Sequence, residues 1–81
     1  MTQEDRELLT WYFYGYNDQL IKKSRILDCS SIQKKAYNIG ARHAMIADDD
    51  PTLDYLTDSE TLEIIKDEYT KEKEKGQKNL G

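Results

Sequence analysis

A small all-α domain of three helices is what this sequence predicts, on three observations. Thr2 and Asp5, Ser30 and Gln33, and Thr57 and Glu60 each pair a hydroxyl with an acid or amide three residues on, the pattern of a helix start. After each start, apolar residues recur at spacings of three and four, the period of one buried helix face. The chain has 81 residues, enough for one core and too few for two.

The first helix is expected from about Gln3 to Lys23. Thr2 caps its first amides, and Glu4, Asp5 and Glu7 place negative charge at the positive end of the dipole. Leu9, Phe13, Tyr16 and Leu20 form the predicted buried stripe, broadened by Leu8, Tyr12 and Gly15. The run Trp11-Tyr12-Phe13-Tyr14 has the composition of a strand, but the residues on either side lack an alternating pattern, so helix is preferred.

Ser30 and Gln33 open a second helix, about Ser31 to Ala47, with Ile32, Ala36, Ile39, Gly40, His43 and Ala47 facing inward. Asp48-Asp49-Asp50-Pro51 stops it, because proline disfavours helix in the residue before it and carboxylates oppose the dipole at a C-terminus. A third helix follows from Asp58 to about Lys73, burying Leu62, Ile65 and Tyr69. Residues 1–70 are read as the domain. Residues 71–81, which alternate Lys and Glu and include Gly76, are read as a charged tail that frays.

The first two helices echo one another. Tyr12-x-x-Gly15-x-x-Asp18 returns as Tyr37-x-x-Gly40-x-x-His43. Glycine inside a helix costs roughly 1 kcal/mol relative to alanine, so a repeated mid-helix glycine implies close approach of two backbones. The expectation is an antiparallel hairpin of helices 1 and 2 crossing near Gly15 and Gly40, with the third helix packed on it.

Chemistry-bearing motifs are few. His43 has no spacing that ties it to a nucleophile and reads as a packed, hydrogen-bonded histidine. The single Cys29 has no disulfide partner and lies beside Asp28, which disfavours its thiolate. A calcium loop starting at Asp48 needs glycine at its sixth position and glutamate at its twelfth, where the sequence has Leu53 and Ser59. The reading is therefore of a protein without enzymatic activity, metal or cofactor. The acidic N-terminal run is unlike a targeting peptide, and no apolar run approaches the roughly 20 residues of a membrane span. A cytoplasmic protein with no membrane partner is expected.

Charge layout is more informative. Within the net charge of -4, residues 1–20 carry -3, residues 21–43 +5, residues 44–65 -7 and residues 66–81 +1. Two oppositely charged surfaces follow. The acidic one, Asp48, Asp49, Asp50, Asp54, Asp58 and Glu60, fits a partner protein with a basic surface, with Trp11, Tyr14 and Tyr55 as aromatic anchors. The basic one, Lys22, Lys23, Arg25, Lys34 and Lys35, is the alternative site, for RNA.

Gly15-Tyr16, Ser24 and Tyr37-x-x-Gly40-x-x-His43-Ala44 resemble the ribosome modulation factor family of very small helical proteins, over roughly residues 12–47. That resemblance implies a helical hairpin and binding to ribosomal RNA through the basic residues. The chain departs from the family in its acidic loop and third helix. The preferred expectation is a small acidic protein-binding module, of the kind phages and mobile elements use to inhibit a host protein, anti-CRISPR proteins among them. A ribosome- or RNA-associated hairpin and a homo-oligomer that buries its surplus aromatic surface are the alternatives.

Overall fold

The computed structural model describes residues 1–47, 49 and 56–80, with side chains up to residue 74. It contains three helices, α1 (Gln3–Leu20), α2 (Ser31–Ile46) and α3 (Asp58–Leu80), and no strand among the described residues. All three start signals work as capping chemistry requires. Thr2 Oγ1 accepts from the Asp5 amide, and Ser30 and Gln33 exchange both bonds of a capping box. Thr57 and Glu60 do the same for α3.

The ends differ from expectation, each for a local reason. α1 stops at Leu20 because Lys22 turns into the left-handed region at φ 56°. The Lys22 amide then donates to the Gln19 carbonyl and the Lys23 amide to the Asp18 carbonyl, a Schellman closure with lysine where glycine is usual. α3 continues past Lys73 and through Gly76 to Leu80. Its Lys/Glu-rich composition favours helix, and Lys71 pairs with Asp67 one turn back.

α1 and α2 form the most intimate pair, and α3 lies across them. A Cβ built on Gly15 would fall within 3.0 Å of the Tyr37 carbonyl, and one on Gly40 within 3.0 Å of the Tyr12 carbonyl. The two glycines thus stand at the point of closest backbone approach.

The sense of this crossing corrects the antiparallel hairpin. Gln33 Nε2 donates to Glu7 Oε2 at 3.2 Å, and Ser30, Ile32 and Gln33 share one cleft with Glu4, Glu7 and Leu8. In an antiparallel pair crossing at Gly15 and Gly40, Glu7 and Gln33 would lie at opposite ends, about 22 Å apart along the axis. The first turns of α2 instead sit beside the first turns of α1, so the helices run in the same general sense. Residues 21–30 make this possible by returning along α1, with Arg25 reaching Asp18 and Tyr14 on the way. Ten residues in extended form span about 33 Å, more than the ~27 Å length of an 18-residue helix.

The core comprises Leu8, Leu9 and Tyr12 of α1, Ala36 and Ile39 of α2, and Leu62 and Ile65 of α3, with Ile39 and Ile65 fully enclosed. Two residues of the expected α1 stripe are not in it: Phe13 is 51% exposed and Leu20 58%. The stripe is rotated toward Leu8, Tyr12 and Gly15 because the glycine contact dictates which side of α1 meets α2. Ion pairs reinforce the docking of α3. Lys66 holds Asp5 at 2.8 Å, Lys35 holds Glu72 at 2.6 Å, and Arg42 holds Glu68. The Lys66 ammonium hydrogen-bonded to Asp5 keeps that carboxyl below its ordinary range.

Candidate functional site

The repeated Tyr-x-x-Gly pattern builds a reciprocal network at the crossing. Tyr12 Oη lies 2.7 Å from His43 Nδ1. Tyr37 Oη donates to Asp18 Oδ2 at 2.6 Å. Each tyrosine therefore bonds the last residue of the other helix's copy of the motif. Both partner residues are buried, Asp18 at 5% exposure and His43 at 6%, and a buried polar group needs such a partner. Periodicity places His43 inward, as observed, but does not mark Asp18 as a buried residue. The signal was present in the motif itself, since Asp18 and His43 occupy equivalent places in its two copies.

Electrostatics separate the two arms. Arg25 clasps Asp18 through Nε at 2.7 Å and through a second guanidinium nitrogen at 3.0 Å, and its guanidinium carbon sits 4.2 Å from the centre of the Tyr14 ring. Trp11 stands edge-on to Tyr14 at 5.4 Å and to Tyr37 at 6.5 Å between ring centres. Arg25, and then the Tyr37 hydroxyl, hold the Asp18 carboxyl below its usual range. Burial pushes Tyr12 up to about 12. Burial, followed by the hydrogen bond to Asp18, also raises Tyr37.

The predicted basic surface is not one patch. Arg25 belongs to Asp18, and Lys35 to Glu72 and Glu68. Lys22 and Lys23 follow the C-terminus of α1, whereas Lys34 lies in the first turn of α2, near the other end of that helix. Fifteen residues of helix, from Glu7 to Lys22, amount to about 22 Å of separation. The antiparallel expectation had brought these lysines together; the observed sense of α2 keeps them apart.

Among the predicted acidic residues, Asp49 is exposed and its amide donates to the Ile46 carbonyl at 3.0 Å. Asp58 and Glu60 occupy the first turn of α3, where Glu60 is engaged in the cap. Asp48, Asp50, Asp54 and Tyr55 lie outside the described residues. Trp11 is half-buried against the other aromatics, and Tyr14 is an exposed ring beneath Arg25. Cys29 is half-buried. Among the described residues no three His, Cys, Asp or Glu side chains converge as a metal site, and no helix is long and apolar enough to cross a membrane.

Fold and site together define a small three-helix protein organised around a glycine crossing, with a tyrosine network on either side of it. The chain matches no family model, no curated protein and no solved structure.

Proposed function

We propose that this chain is a non-enzymatic protein-binding module that engages a basic surface of its partner. The observation that supports this most is the exposure of large apolar side chains at the C-terminal ends of α1 and α2: Leu20, Ile21, Met45 and Ile46, with Phe13 below them. These ends lie on one side of the molecule because the two helices run in the same sense, and Asp49 of the acidic segment follows the end of α2 there. An apolar centre bordered by charge is the composition of a protein interface. Carboxylates at its edge steer a cationic partner and select against acidic ones. An inhibitor that occupies a host protein's basic surface is the biological role this arrangement suits, by analogy of size and charge.

RNA binding receives less support, since Arg25 and Lys35 are already paired and the remaining lysines are divided between two ends. Affinity capture from a cell lysate tests the preferred reading. Asp48→Lys, Asp49→Lys and Asp50→Lys combined should release the captured protein, and Leu20→Glu alone should weaken its retention. Undiminished capture by both variants refutes it. Sedimentation at high concentration separates the homo-oligomer, which would bury the same apolar residues against a second copy.

A further inference from the structure

Arg25 is held in an unusual way for a residue of an irregular connection. Residues 21–30 form neither helix nor strand beyond a closing turn, and Ile26, next to Arg25, is 92% exposed. Among the described residues, Arg25 makes the side-chain hydrogen bonds of residues 21–29, all of them to Asp18. The groups it meets all come from the two helices. Asp18 is fixed on α1 and oriented by the Tyr37 hydroxyl from α2, and Tyr14 offers a ring face, with Trp11 packed behind it. A buried carboxylate with both oxygens presented, beside an aromatic face, is the chemistry that recognises a guanidinium by paired hydrogen bonds and cation–π attraction.

We propose that Asp18, Tyr37, Tyr14 and Trp11 form a guanidinium-binding site that Arg25 of the same chain occupies, and that an arginine side chain of a partner is the ligand it accepts when the connection lifts. The Arg25 side chain is still 41% exposed, so the site opens to the surface. Lys22, at φ 56°, marks the backbone position about which the connection leaves α1. Arg25 is a tethered competitor: a short tether supplies a millimolar effective concentration, and external ligand sees only the fraction of molecules in which the site is open. The site stands apart from the protein-binding reading, because the probe below is a small cation whose failure leaves the capture experiment unaffected.

The experiment titrates methylguanidinium, with methylammonium as control, into wild type, Arg25→Ala, Arg25→Gln and the double variant Asp18→Asn/Arg25→Ala. Trp11, the single tryptophan, reports the site by fluorescence, and circular dichroism reports helix content. Methylguanidinium should bind both single variants at least about tenfold more tightly than wild type. Methylammonium, which cannot span both carboxylate oxygens, should produce no such response, and the double variant should be silent. If a single variant is unfolded, recovery of helix with low-millimolar methylguanidinium and not with methylammonium is the supporting result. Equal responses to the two cations, equal responses of wild type and single variants, or a response that survives Asp18→Asn would each overturn the proposal.

Discussion

Tyr12 and Tyr37 occupy matching places in the repeated motif, and each hydroxyl crosses to the residue six positions beyond the other tyrosine. One arm ends on the imidazole of His43. The other ends on a carboxylate clasped by arginine. The same backbone approach therefore supports a tyrosine–imidazole pair in one place and a tyrosine–carboxylate–arginine cluster in the other, and the arginine of the second comes from the connection between the helices. The contrast shows that the glycine contact determines the geometry, while the identity of one residue, Asp18 or His43, determines what that geometry attracts.

Removing the shared geometry should have the largest effect. Gly15→Ala and Gly40→Ala each drive a methyl into the facing carbonyl, and a backbone atom has little room to yield. Each should lose about 3 kcal/mol in urea denaturation, at the upper end of overpacking costs and far beyond the roughly 1 kcal/mol that alanine gains in a helix. A rise in melting temperature for either variant would break the crossing. Similar losses for both would show that the two arms depend on it equally.

Deleting the hydroxyls sharpens the comparison at smaller scale. Tyr12→Phe should cost about 1 kcal/mol, the net worth of an ordinary buried hydrogen bond. Tyr37→Phe should cost more, because it deprives a buried carboxylate of a donor. Equal urea midpoints for the two variants would refute that ranking.

Only the Asp18 arm should also fail in acid, while both arms lose stability in alkali. Asp18 has its carboxyl depressed in the fold, so its contribution is fully present above the ordinary carboxylate pKa near 4 and is lost as pH falls through the lower folded value. Asp18→Asn should flatten the acid limb of the stability profile. Tyr12, raised to about 12, contributes stability below the ordinary tyrosine pKa near 10, and this is lost as pH rises toward 12. Tyr37, raised in the same direction, adds to that alkaline loss, so Tyr12→Phe should reduce the alkaline limb without removing it. Urea midpoints measured across both limits check each sign.

The smallest expected change is a gain. Lys22→Gly relieves a left-handed lysine at the end of α1 and should stabilise by somewhat under 1 kcal/mol, since glycine's extra freedom in the unfolded chain offsets part of the relief. A loss would mean that the Lys22 side chain has a role beyond its backbone.

Much of the fold was legible because it is written locally. Thr2, Ser30 with Gln33, and Thr57 with Glu60 bond within one turn, so their spacing was sufficient to place the helix starts. Ile39, Leu62 and Ile65 were readable as core from period alone. The buried stripe of α1 was harder to read, because Leu8, Leu9, Tyr12, Phe13, Tyr16 and Leu20 offer several apolar lines and periodicity does not choose among them. Arg25 was read as part of a basic surface, since nothing next to it in sequence shows that a carboxylate seven residues earlier waits in a buried position. The acidic loop lies outside the described residues apart from Asp49.

The sequence by itself determined the number of helices, their capped starts and the repeated Tyr-x-x-Gly that requires two backbones to meet, because each of these is set by residues within a few positions of one another. Tertiary structure alone decided that α2 runs in the sense of α1, that Asp18 is buried, and that Lys34 stands far from Lys22. Those outcomes depend on contacts between residues distant along the chain. A connection as long as residues 21–30 can reach either end of α1, and the pairing of the two motif copies selects between them.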